Sequence, residues 1–182
     1  MDPRTLAMDG LLLAMAAGGA VTDVRVGKVY NVLTYTGALA GLVLNGLLPS
    51  PPGLGWSAAF LGLLLGWGPL FVAFLAGGIG AGDVKLMAAV GAFVGPHTGL
   101  YVLLYSCLAG AVMAMGVILW KEGYIGLLLR IKAAFTLQGG DDGFHRLKFP
   151  FGVAILVGTA WAVTERNLGS SALDLVFGGR LA

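Results

Sequence analysis

Charged residues in this 182-residue chain fall in a few short stretches, and the segments between them are almost wholly apolar. Trp56–Ala76 and Leu100–Trp120 each run for 21 residues without a charge. About 20 apolar residues carry a helix across the hydrocarbon core of a bilayer. Lipid offers nothing to an unpaired backbone group, so helices are the expected form of such runs. Six apolar segments can be traced: Thr5–Thr22, Val32–Leu48, Trp56–Ala76, Val84–Gly95, Leu100–Trp120 and Phe149–Val163. The predicted fold is all-α, a polytopic membrane protein with about six transmembrane helices in a single domain over residues 1–182. The fourth segment is the weakest, because "GPHTG" at Gly95–Gly99 ends it after about 18 Å of helix. It reads as a short span or as half of a re-entrant pair.

Composition agrees with that pattern. Hydrophobic residues make up 58% and charged residues 11%, against roughly a quarter charged in a soluble domain. The mean hydropathy is +0.89. The lipid bilayer is therefore the expected solvent. The net charge of +2 says little about partners, and no basic patch points to nucleic acid. The single cysteine, Cys107, excludes an internal disulfide or a cysteine-rich zinc site and reads as packing. His97 reads as capping an outer turn and His145 as a loop residue. Neither has a second ligand at metal spacing, so no metal and no cofactor are expected.

Loop charges set the orientation. If the first segment exits to the cytoplasm, Arg25, Lys28, Lys85, Lys121, Arg130, Lys132, Arg146 and Lys148 lie inside, and Arg4, Arg166 and Arg180 lie outside. Eight against three favours this arrangement. The long inner stretch Lys121–Lys148 holds "YIGLLLRIKAAF", with Ile125, Leu128, Leu129 and Phe135 on one helical face, as an interfacial helix would have. "QGGDDGFHR" after it reads as a solvated linker. The small-residue run "AAGGA" at Ala16–Ala20 reads as a helix-packing face.

Two acids stand apart from the other seven. Asp2, Asp9, Glu122, Asp141, Asp142, Glu165 and Asp174 fall mostly in termini or the long loop, where charge costs little. Asp23 and Asp83 each lie where an apolar segment meets a short inner loop, at the same predicted membrane face. Two carboxyls within reach of each other share a proton. One can then take a proton from water while the other polarises a carbonyl, which is aspartic peptide hydrolysis. Gly80 and Gly82, just before Asp83, permit close backbone approach and leave main-chain groups free to pair with an extended substrate strand. Lys85, two residues on, points away from Asp83 if a helix starts there, and is expected to anchor at lipid headgroups. Intramembrane acids equally suit ion pathways or helix pairing, so on chemistry alone an ion- or proton-coupled transporter remains the alternative.

"GAGDVKL" at Gly80–Leu86 resembles the GxGD signature of the A24 prepilin peptidases, integral-membrane aspartic proteases. "TDVRVGKVYN" at Thr22–Asn31 resembles their first-aspartate loop, and "FPFGVAI" at Phe149–Ile155 their Pro-[Phe/Tyr]-Gly motif. The resemblance runs from about residue 11 to 163. It implies that Asp23 and Asp83 form the catalytic pair, with Arg25, Asn31, Gly80, Gly82, Lys85, Pro150, Phe151 and Gly152 in supporting or substrate-binding positions. It also implies prepilin or pseudopilin substrates, a place in type IV pilus assembly or secretion, and a site at the cytoplasmic face of a prokaryotic inner membrane. Tyr30 stands where the family often has proline. The long members carry an N-terminal region with paired cysteines linked to N-methylation; this chain is similar to the short, Flp-type form, so cleavage without methylation is expected.

Overall fold

The computed structural model describes residues 3–48, 53–136 and 150–168; within 121–136 it describes the helical backbone, and no side chain. Among these residues all regular structure is helical: α1 (Pro3–Val26), α2 (Asn31–Leu47), α3 (Trp56–Leu75), α4 (Ala81–Thr136) and α5 (Phe151–Leu168). Two breaks divide α4. At Gly95 (φ 75°) and Gly123 (φ 69°) the backbone enters the left-handed region, where glycine alone is at ease. Three helices are long and apolar enough to cross a membrane: Pro3–Val26, Trp56–Leu75 and Ala81–Trp120. The sequence predicts about six spans, so this criterion supports the class but not the number.

The 40 residues of Ala81–Trp120 would stretch about 60 Å as one straight rod, twice the hydrocarbon thickness. They do not form one. A methyl group placed on Gly99 would lie 3.8 Å from the Gly91 Cα, so residues eight apart are side by side and the helix doubles back at Gly95. "GPHTG" therefore reverses the chain as expected, but with almost no loop. Pro96 opens the returning helix, where its fixed φ and missing N–H cost least.

Segment 81–94 is the centre of the bundle. From Val84 through Val94 every residue except Lys85 is buried. Such a helix has no lipid contact to match, which explains how a dozen apolar residues suffice. Its neighbours approach through glycine. A Cβ on Gly62 of α3 would collide with the Gly91 carbonyl oxygen and lie 2.7 Å from the Gly95 carbonyl carbon. One on Gly66 would lie 3.0 Å from the Met87 carbonyl carbon. Gly41 of α2 meets the same helix, 3.0 Å from the Ala92 carbonyl carbon. Helices in lipid gain from this close backbone approach. "AAGGA" behaves as predicted: Ala16, Gly19 and Ala20 are buried, and Gly19 leaves room for Leu86.

The reversal strands carbonyls. Pro96 cannot donate to Ala92, and the chain leaves helical geometry before residue 97 can reach Phe93. Asn45, fully buried near the end of α2, fills the gap. Its Nδ2 donates to Ala92 O and Phe93 O, both at 2.9 Å, and to Gly41 O at 3.1 Å. Its Oδ1 accepts from the Leu54 N–H at 3.2 Å, and its main-chain carbonyl accepts from Gly55 at 2.9 Å. One side chain thus ties α2, the reversal and the start of α3.

Element ends differ from the predicted ones in informative ways. α1 runs on through Asp23 and Arg25 to Val26, so the loop there is only residues 27–30. Helix resumes after Gly123 through residue 136, as the interfacial-helix reading requires; which way its side chains point lies outside the described residues, as do "QGGDDGFHR" and Pro49–Pro52. Cys107 is exposed on α4 rather than packed inside. His97 lies within the helix, edge-on to Tyr101 at 5.1 Å. Replacing Asn45 with leucine, of similar volume, should lower stability by about 1–3 kcal/mol through the orphaned carbonyls, measured by reversible unfolding in detergent micelles.

Candidate active site

The chain's reversals bring one end of α1, α2, α4 and α5 together. α2 runs alongside segment 81–94 in the same direction, with Asn31 beside Lys85 at the start and Asn45 beside Phe93 at the finish. α1 ends, and α5 begins, at the same level as the start of α4. Asp23 in the last turn of α1 and Asp83 in the first turn of α4 therefore lie at the same end of the bundle, near enough for the charge of one to act on the other.

Asp23 is half-buried and fixed. Its Oδ2 accepts the backbone N–H of Gly152 at 2.9 Å. Gly152 is the second residue of α5, and its amide is one of the donors a helix start leaves unpaired. Asp23 thus acts as a cap supplied by another helix, with its charge facing the positive end of the helix dipole. Glycine favours the approach: a Cβ at 152 would lie 3.1 Å from both the Cβ and Oδ2 of Asp23, so Asp23 would have to give way by a few tenths of an ångström.

Asp83 is 8% exposed, and its Oδ1 has no hydrogen-bond partner among the described residues. Its N–H donates to the Gly80 carbonyl at 3.1 Å. A Cβ on Gly80 would come within 3.1 Å of Asp83 Oδ2, so the carboxyl lies over a glycine. Buried polar atoms are almost always paired, and an exception calls for a reason such as catalysis or an absent ligand. Gly82 faces the 27–30 loop, where a Cβ would be 3.0 Å from the Val29 Cβ. Both glycines before Asp83 thus serve close packing, one against the acid and one against the loop that follows Asp23.

The remaining predicted residues divide. Lys85 does not reach Asp83, as expected, but neither does it simply anchor at headgroups. Its Nζ donates to Asn31 Oδ1 at 2.8 Å and stands 5.1 Å from the centre of the Tyr35 ring, which joins the starts of α2 and α4. Phe151 is buried, and its ring fills the space left by Gly110 on the returning helix of α4. The Pro150 carbonyl accepts from Val153 at 3.1 Å and closes the first turn of α5. Arg25 is exposed. Sequence reasoning missed Asn45, although a lone amide inside "LVLNGLL" was a signal, since polar groups in spans rarely lack a partner. It also grouped Asp9 with the inexpensive acids, whereas Asp9 is buried at 7% exposure and paired with Arg166. Among the described residues no cluster of three or more His, Cys, Asp or Glu could hold a metal ion.

The arrangement brings two acids together beside a helix start, flanked by glycines, in an apolar helical bundle. Comparison with curated proteins and with solved structures returns no match. The family model of the type IV leader peptidases matches residues 10–115, more than half of the chain and both aspartates. The chain belongs to the type IV leader peptidase family.

Proposed function

We propose that this protein is an aspartic endopeptidase, one integral-membrane domain that removes the leader of prepilin-like proteins with water and the pair Asp23 and Asp83. The observation that carries this reading is the placement of two carboxyls at one end of the bundle, one held by the Gly152 amide and the other with a buried oxygen left unpaired. With one proton shared between them, the ionised carboxyl takes a proton from water. The water oxygen then adds to the scissile carbonyl carbon, whose oxygen receives a hydrogen bond and proton from the other carboxyl. Collapse of the tetrahedral diol returns that proton and passes one to the departing amine as the C–N bond breaks. The non-helical strip Gly77–Gly80, exposed at each glycine, lies just before Asp83 and suits the pairing of an extended substrate segment.

Six crossings fit the chain path, with the segments 81–94 and 96–122 as two of them. Arg25, Lys28 and Lys85 lie at the end that holds both aspartates, which favours that end as the cytoplasmic face of an inner membrane. Substrates are prepilins or pseudopilins, and the product is trimmed without methylation. An ion-coupled transporter would place its acids near the midplane, whereas here both lie in terminal turns of their helices.

Asp23→Asn and Asp83→Asn preserve shape and remove the proton chemistry. Each should reduce leader cleavage of a co-reconstituted prepilin by about 10²–10⁴-fold or more while the protein stays folded. Near-full activity in either variant would refute the dyad. Gly152→Ala improves intrinsic helix propensity yet puts a methyl against Asp23; kcat should fall about 10–100-fold with no loss of thermal stability. Incubation of purified protein and prepilin with methyl-labelled S-adenosylmethionine should leave the trimmed N-terminus unlabelled, and label there would show a bifunctional enzyme.

A further inference from the structure

α1 and α5 are joined at both ends, each time by an acid of α1. Asp23 takes the Gly152 amide. Fourteen residues earlier, Asp9 takes Arg166, fourteen residues beyond Gly152. The two helices are antiparallel, and these matched intervals, about 21 Å each, put both contacts in one register. Asp9 is fully engaged: Oδ1 pairs with Arg166 Nη2, and Oδ2 accepts from Asn167 Nδ2 at 3.1 Å. The next acid on α5, Glu165, is bound elsewhere, to Tyr105 Oη at 2.7 Å and Trp161 Nε1 at 2.8 Å.

Where Asp23 meets α5 the contact is between small residues, with Gly152 against Ala20. At the far end a cavity of about 40 Å³ opens beside Asp9 and Arg166, between Leu54 and Phe93. Apolar packing is non-directional, so polar contacts at both heights give α1 a defined axial position. The catalytic end supplies a single hydrogen bond, which moves with Asp23 itself. An ion pair in a largely apolar setting offsets its desolvation only in good geometry, so the Asp9–Arg166 pair favours one axial position of α1 on α5.

We propose that Asp9 and Arg166 are a positioning pair, which sets the height of α1 on α5 and so holds Asp23 at the Gly152 amide and opposite Asp83. This rests on the peptidase reading for its effect on rate, although the register itself is open to test without catalysis. Arg166 is 33% exposed, so substitutions there are tolerable. Arg166→Gln removes the charge and Arg166→Lys keeps it. Spin labels on cysteines introduced at the exposed positions Val21 and Val157, with the exposed Cys107 replaced by alanine, report the α1–α5 distance in liposomes. In Arg166→Gln the distance distribution should broaden and kcat per folded protein should fall about 10–100-fold, with KM unchanged. Arg166→Lys should match the parent in both. An unshifted, narrow distribution in Arg166→Gln, a retained kcat, or a change confined to KM would overturn the positioning role. If the parent protein cuts no prepilin, the peptidase reading falls, and the distance distributions still decide whether Arg166 sets the register.

Discussion

The bundle depends on a short helix that is buried along most of its length. From Val84 through Val94 every residue except Lys85 is buried, so the backbone groups there must be satisfied by protein. Along its length the helix does this itself. At its far end it cannot, because the chain turns back at Gly95 into a proline. The Asn45 amide meets the two stranded carbonyls, and the other features follow from it. With the reversal fixed, α3 can press its backbone on Gly91 through Gly62, and the returning helix can run beside α5. Asp83, a dozen residues upstream on a rigid helix, then has its depth set by contacts far from any chemistry.

Charge is handled with the same economy. Each buried or half-buried acid described has a partner from another helix or a neighbouring turn: Asp9 with Arg166, Asp23 with Gly152, Glu165 with Tyr105 and Trp161. Asp83 departs from this rule in one oxygen. Elsewhere in the described residues only the hydroxyl of Ser106 is similarly left, and that atom lies where Gly158 allows the two helices to touch. An unpaired hydroxyl at a tight crossing is a cost of packing. An unpaired carboxyl oxygen at the same end of the bundle as a second carboxyl is what the proposed peptidase chemistry would use.

Hydrophobic patterning made the helices legible, and the cost of two interfacial acids made the pair legible. Asp23 and Asp83 could be placed at one face because alternation of apolar runs and basic loops fixes depth without any knowledge of packing. Lateral relations were a different matter. Nothing in "LVLNGLL" says which carbonyls Asn45 will serve, since that depends on α2 lying beside the reversal. Asp9 and Arg166 are 157 positions apart, and each alone looks like an ordinary terminal charge. The 27–30 loop appeared longer than it is because polarity marks the end of a membrane segment, while the helix continues through Asp23 until Gly27 ends it.

The motif residues also differ in what they are for. The matched family region contains both aspartates but ends at 115, before the group that holds one of them. That group is a main-chain amide, which almost any residue could supply at position 152. What the position favours is a small residue, because a Cβ there would press on Asp23. The same preference holds at Gly80, under Asp83. The glycines near the dyad thus need not loosen the backbone to be useful. They let two carboxylates lie directly against main chain, where hydrogen bonds and helix ends, rather than neighbouring side chains, define their positions.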